Sequence, residues 1–341
     1  MSRHEAAGFA VIALASAWGA RHATSPAVRA WHPGSGQYRR VGRLTVRTTG
    51  TGNTAVVLLH GLPASGDTFG SAFDAIAQDA QLVIPDLLGF GRSQDLGSTT
   101  FSLRAHLDAL DTMVDALGLH SHRLVVAGHS MGGLLAWHWA ARRADQVDAV
   151  VTWCTPLFRG RDEARRRLND KAPGLAWIGL PGRLSRTTCT QLCTRRPWLA
   201  QWLYVLVCPR VPVVLARQLT QHTWASYAPA VTDIVLDERR WRQSLHALDQ
   251  AGVPVVYAGG ARDVLAPPGV VQKLGQDAPR LITVTHPRAD HLLPLDHPGW
   301  CVDLLTKTLQ DAGDIAGEEV HSDCHRQVVV ARTGFQISMK L

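Results

Sequence analysis

Long uninterrupted apolar runs are scarce in this chain of 341 residues. The run Ala6–Ala20 covers fifteen residues, short of the ~20 a helix needs to cross a bilayer. Cysteine is also sparse, with six residues: Cys154, Cys189, Cys193, Cys208, Cys301 and Cys324. They are too few and too scattered for a disulfide scaffold. Cys189 and Cys193 stand four apart and can share a helix face. With no further Cys/His pair at ligand spacing they read as packing residues or free thiols, and no metal is expected. Charged residues make up only 18% against 46% apolar. That excludes wholesale disorder and allows a large core, in one α/β domain with an insertion or in two modest domains.

The charge that is present is uneven. The whole chain carries +7, yet Thr155–Arg210 alone holds eleven Lys/Arg against three Asp/Glu, a net +8. A basic segment can face nucleic acid, anionic lipid or an anionic substrate. No nucleic-acid motif accompanies it, so no nucleic-acid partner is expected and a solvated basic face is the plainer reading. Docking on an anionic membrane through Arg165, Arg166 and Arg167 is the sharper one. At the N-terminus, "MSRHEAAGFAVIALASAWGARH" fits a signal-peptide core with Ala15-Ser16-Ala17 as a cleavage site, although Glu5 argues against it. An Ala-rich amphipathic helix on the protein or on a membrane fits equally. Cytoplasmic, membrane-associated and exported destinations all stay open.

Short apolar runs punctuate the chain at Ala55–His60, Leu82–Asp86, Arg123–Ser130, Val147–Cys154, Val253–Gly260 and Leu281–His286. Such runs suit strands buried on both faces. Arg43–Thr49 alternates with period two before the turn Gly50-Thr51-Gly52-Asn53. Helical patterns lie between several of them. One covers Leu103–Leu119, apolar at 103, 107, 110, 114 and 117, and ends at Gly118. Another covers His297–Gly313, with Pro298 near its first turn. The alternation predicts an α/β fold with a mostly parallel sheet and helices on both faces. It breaks from Thr155 to about Gln250, which predicts an inserted, mainly helical cap carrying Trp177, Trp198, Trp202, Trp224 and Trp241. The expected division is an N-terminal segment and linker over 1–37, a core over 38–154 and 251–313, the cap over 155–250 and a tail over 314–341. Glu318, Glu319, His321, Asp323, Cys324 and His325 crowd that tail at spacings that match no standard metal site.

Gly128-His129-Ser130-Met131-Gly132 joins a predicted strand to a predicted helix. A sharp strand–turn–helix forces strained backbone on the serine and pushes its hydroxyl out at the end of the sheet, while small flanking residues relieve clashes. Serine needs a base. Asp263, just past a later strand, and His291, before the last helix, follow in the order such a site requires. His291 is the candidate general base and acid, and Asp263 the residue that orients it. Upstream, His60-Gly61-Leu62-Pro63 follows a strand. There the Leu62 N–H, with the Met131 N–H, can form an oxyanion hole.

With "LLHGLPAS", "PDLLGFGRS", "GHSMGG" and the pair "ARDVLAP … ADHLLPLDHP", the sequence resembles the α/β-hydrolase fold superfamily, in its capped single-domain group. The resemblance runs from His60 to Pro298. It implies a triad of Ser130, Asp263 and His291, an oxyanion hole from Leu62 and Met131, and a structural loop at "PDLLGFGRS", so Arg92 receives no catalytic role. Related dehalogenases and epoxide hydrolases carry Asp where Ser130 stands, which argues against both. The expected activity is hydrolysis of a carboxylic ester or related acyl compound, largely apolar, with no cofactor. A C–C bond hydrolase, a cofactor-free haloperoxidase or perhydrolase, a thioesterase, an amidase and a non-catalytic binding protein remain alternatives.

Neighbouring polar residues have plainer readings. His129 is expected to pack away from the site, and His60 to brace the oxyanion loop beside Gly61. Asp290 is a rival to Asp263, disfavoured because it adjoins His291. Asp296 is expected to cap the last helix. The cap tryptophans read more often as ordinary packing than as a substrate wall, yet five in one insertion favour a largely apolar pocket.

Overall fold

In the computed structural model residues 16–98 and 100–321 are described, without the side chains of 276, 277 and 313–321. Most of the proposed signal-peptide core, together with Asp323, Cys324 and His325, lies outside the described residues, as do the side chains of Glu318, Glu319 and His321.

Eight strands form one sheet: β1 (Gln37–Val41), β2 (Leu44–Thr49), β3 (Thr54–Leu59), β4 (Gln81–Asp86), β5 (Arg123–His129), β6 (Val147–Trp153), β7 (Val255–Gly260) and β8 (Leu281–His286). Their spatial order is β1-β2-β4-β3-β5-β6-β7-β8. β1 and β2 form an antiparallel hairpin, and β2 pairs antiparallel with β4. From β4 to β8 every pairing is parallel. The continuous apolar runs explain this architecture. In β3, Val57 and Leu59 face one apolar cluster while Val56 and Leu58 face another, so both faces of the strand are covered. Strands with one wet face alternate; these do not. β1 is the strand that sequence periodicity misses. Its residues "QYRRV" are exposed except for Val41, so no buried stripe marks it.

The helix Leu103–Leu117 ends at Gly118 in the left-handed conformation, φ 69°, as its sequence predicts. The final helix differs from expectation. It runs Pro298–His321, straight through Gly313, so the tail does not begin there.

Between β6 and β7 the described residues hold helices and turns only, with one isolated bridge from His222 back to Phe90 in the core. The expected end of the insertion near Gln250 needs correction. Helix Glu238–Ala251 buries Trp241, Leu245 and Leu248, and Trp241 packs on Trp137 of helix Met131–Arg142 at 6.2 Å. It is therefore the crossover helix feeding β7, and the insertion proper ends before it.

Candidate active site

Ser130 sits between β5 and helix Met131–Arg142 with φ 55°, ψ −122°. Outside glycine this backbone region is costly, by about 1–3 kcal/mol, and is held only where surrounding structure enforces it. The Ser130 N–H is tied to the Trp153 carbonyl at 2.9 Å, which anchors the turn to β6. Close approach does the rest. A Cβ on Gly132 would lie 2.1 Å from the Leu59 carbonyl oxygen, and one on Gly128 would lie 2.2 Å from that of Gly132. Both positions therefore exclude side chains.

The three residues proposed from sequence meet. His291 Nε2 lies 2.9 Å from Ser130 Oγ, and His291 Nδ1 lies 3.0 Å from Asp263 Oδ2. Asp263 reaches this point because β7 ends in Gly260, which lets the chain turn hard against the His291 loop. A Cβ there would stand 2.4 Å from the Ala289 oxygen, and the Arg262 N–H bonds that same oxygen at 3.0 Å. Burial pushes the Asp263 carboxyl up. The positive charge and hydrogen bond of His291 outweigh this, helped by the Leu265 N–H, and hold it at about 2. Asp263 is thus an anion that only accepts, and it orients the Nδ1–H of His291.

Met131 directly follows the serine, and Leu62 directly follows Gly61. Met131 opens its helix, where the first N–H groups have no intrahelical acceptor. Gly61 packs directly on the elbow: a Cβ on it would be 3.0 Å from Ser130 Cβ. His60 is fully buried and braces the loop. Its Nδ1–H donates to the Gly61 carbonyl at 2.9 Å, and its Nε2 accepts from the Leu87 N–H at 2.8 Å. Burial lowers its pKa, which keeps the ring neutral and that tautomer in place.

Three polar neighbours of the site have distinct structural partners. His129 is more than packing: its Nε2–H donates to the main-chain oxygen of His291 at 2.8 Å. Burial, then the adjacent His291, pushes its pKa down to about 3. Asp290 is no rival acid. Its Oδ2 pairs with Arg210 at 2.5 Å, and its Oδ1 accepts from the Leu292 N–H at 2.9 Å. Asp296 does not cap the last helix; it pairs with the other arm of Arg210 at 2.5 Å. Sequence reasoning missed Arg210 as the clamp of this loop and Cys154 as a neighbour of Asp263 and His291. Cys154 is buried at the end of β6 with φ 51°, and its Sγ lies within 4.8 Å of Asp263 and His291 ligand atoms. The one available signal was register, since Cys154 follows Trp153, the strand partner of His129. Arg92 lies in a structural pair with Asp67 at 2.9 Å, as its non-catalytic reading implies.

The cap tryptophans divide between surface and core. Trp177, Trp198 and Trp202 are 66%, 63% and 60% exposed, and Trp241 is in the core. Trp224 stacks on Tyr227 at 6.3 Å. Met131, Leu157, Phe158, Val231 and Val235 share one buried cluster, against which Leu62 packs.

A parallel sheet with an antiparallel start, a strained serine after its fifth strand and a helical insertion after the sixth define the class: the chain has the α/β-hydrolase fold. The family model for the alpha/beta hydrolase fold matches residues 54–173. Among curated relatives, a pimeloyl-acyl-carrier-protein methyl ester esterase of Pectobacterium atrosepticum is 28% identical over 258 residues. That alignment covers 74% of this chain and 92% of the relative. The same enzyme of Pectobacterium carotovorum is 32% identical over 117 residues, so this chain spans 43% of that relative's length. A thermophilic esterase from Thermogutta terrifontis superposes with a TM-score of 0.57 at 21% identity, covering 79% of this chain and 93% of its own.

Proposed function

We propose that the protein is a serine hydrolase that cleaves a carboxylic ester or related acyl compound through an acyl-enzyme on Ser130. The observation that carries this reading is the unbroken relay Asp263–His291–Ser130, at 3.0 and 2.9 Å. In this mechanism His291 Nε2 takes the hydroxyl proton as Ser130 Oγ attacks the acyl carbon. Asp263 stabilises the imidazolium without itself being protonated. The Leu62 and Met131 N–H groups receive the developing oxyanion; losing one such donor typically costs ~2.7–4 kcal/mol. The proton then passes to the leaving alcohol, and water repeats the sequence to release the acid. Burial of Met131 in an apolar cluster against which Leu62 packs supports a largely hydrophobic small-molecule substrate. A C–C bond hydrolase, a perhydrolase, a thioesterase and an amidase use the same relay, and a binding protein needs none of it. The test is a burst of p-nitrophenol from a short-chain ester together with fluorophosphonate labelling. Both are expected in wild type and absent in Ser130→Ala. No burst and no labelling of the wild type would sink the hydrolase reading.

A second observation bears on where the protein works. On helix Pro197–Val207, Trp198, Trp202 and Leu206 recur every four residues on one face and are exposed, as is Val207. Exposed Arg183, Arg186, Arg195 and Arg196 lie just before this helix in the chain. The N-terminal helix over 16–24 lies along it: Trp18 Nε1 donates to the Val205 oxygen at 3.0 Å, and His22 Nδ1 donates to the Pro209 oxygen at 2.9 Å. No helix among the described residues is long and apolar enough to cross a membrane. A flat aromatic stripe with basic neighbours instead suits the surface of an anionic bilayer. Arg167 has no part in this, because it is buried and paired with Glu163. Full-length protein is expected to sediment with vesicles containing phosphatidylserine, less so at high salt, and to lose this in Trp198→Ser/Trp202→Ser. Equal binding by that variant would refute the membrane assignment.

A further inference from the structure

We infer that Cys189, Cys193 and His222 form a three-ligand site for a thiophilic divalent cation of the zinc class, built into the helical insertion. Sequence spacing identifies only the two cysteines. The fold supplies the third ligand from a separate segment. Cys189 closes helix Arg183–Cys189, and Cys193 lies in the π-helical turn Thr190–Arg195 that follows. Such wide turns gather at functional sites. His222 arrives from a loop fixed independently of the helix. Its backbone bridges to Phe90, and its ring rests against Phe90 at 6.1 Å and Tyr227 at 5.3 Å. One ring nitrogen and both sulfurs lie within 4.8 Å of one another. Ligand atoms around tetrahedral zinc stand somewhat closer, since each bond is about 2.0–2.3 Å; modest side-chain movement closes the difference.

One further observation points to a ligand rather than to packing. His222 is 3% exposed, and its Nδ1 has no hydrogen-bond partner. Buried polar atoms are nearly always satisfied, so an unpaired nitrogen on a ring that reaches two buried thiols needs an explanation. The thiolate is the form that binds metal. Binding releases two protons, one from each thiol, and the two thiolates cancel the charge of the cation in a buried setting. Three protein ligands leave the fourth position to water. The loop held by the metal touches the core at Phe90, whose ring packs edge-on against His60 at 6.4 Å. The site therefore staples the insertion to the ring that braces the oxyanion loop. It does not depend on the hydrolase reading.

The experiment is titration of reduced full-length protein with cobalt(II), read by absorption, followed by competition with zinc. One cobalt per chain with thiolate-to-metal charge-transfer absorption is expected, displaced by zinc. The absorption should be lost in Cys189→Ser and Cys193→Ser and weakened in His222→Ala. It should persist in Cys208→Ser and in His291→Gln, which excludes the other cysteine cluster. Zinc should raise the melting temperature of wild type and leave that of folded Cys193→Ser unchanged. The inference is overturned if the reduced protein binds no stoichiometric cobalt. It is equally overturned if folded Cys193→Ser keeps the charge-transfer band, or if mass analysis finds a Cys189–Cys193 disulfide that persists under the reducing conditions.

Discussion

The imidazole of His129 donates its Nε2–H to the main-chain oxygen of His291 at 2.8 Å. The residue before the proposed nucleophile thus holds the backbone of the proposed base, independently of the side-chain bond between Ser130 and His291. His129→Ala is expected to lower kcat by about 10–100-fold, the scale of a misplacement near 1 Å, with KM little changed. His129→Gln, which keeps a donor, should recover part of the loss. Steady-state kinetics on one p-nitrophenyl ester checks both.

Asp263→Asn removes the charge but keeps the shape. The amide can donate to Nδ1 and so favours the wrong tautomer of His291. A fall in kcat of about 10⁴ is expected with an unchanged circular dichroism spectrum. A loss of tenfold or less would return the acid role to another carboxylate.

The same carboxylate makes stability depend on pH with a defined sign. Its folded pKa, about 2, lies below the unfolded value of ~3.9, so the stabilisation is present above ~3.9 and lost as pH falls toward 2. The contribution at neutral pH is on the order of 2 kcal/mol. Denaturant melts of wild type and Asp263→Asn should differ by about this much at pH 7, and the gap should close between about pH 4 and 2.

Gly132→Ala places a methyl 2.1 Å from the Leu59 carbonyl oxygen. Neither partner is a flexible side chain, so backbone must move. A loss above about 4 kcal/mol is expected, seen as insoluble expression or a melting temperature lowered by more than ten degrees or so. Gly299→Ala, which meets nothing within 4 Å, is the matched control.

Arg210 bridges Asp290 and Asp296, and burial raises the pKa of Asp296. Arg210→Gln strands a buried carboxylate. Because Arg210 is itself partly exposed, the expected cost is about 1–2 kcal/mol, below the range for fully buried pairs. Asp296→Asn in the same chain should restore part of it, a coupling that a double-mutant cycle measures.

Much of the sheet was legible because strands buried on both faces write themselves as apolar runs, as at Ala55–Leu59 and Arg123–His129. β1 was not, since an exposed edge has no buried stripe to betray it. The residues of the proposed site were legible because each follows a strand at the same end of the sheet, in an order set by connectivity. Their supports were not: the link from His129 to His291 and the clamp from Arg210 to Asp290 join residues 162 and 80 positions apart. Tryptophan content decided little, because a large apolar ring suits an exposed helix face as well as a pocket. The pair Cys189 and Cys193 was visible, but the ring that completes it comes from another segment, and helical spacing carries no record of that.

Arg210 also ends a chain of contacts that starts at the other terminus. Its main-chain oxygen accepts from Ser25 Oγ at 2.7 Å, while its guanidinium grips the residue next to His291. One residue therefore shares its backbone with the N-terminal segment and its side chain with the loop of the base. Whatever engages the segment around Ser25 also takes hold, at one remove, of the histidine on which the chemistry is proposed to turn.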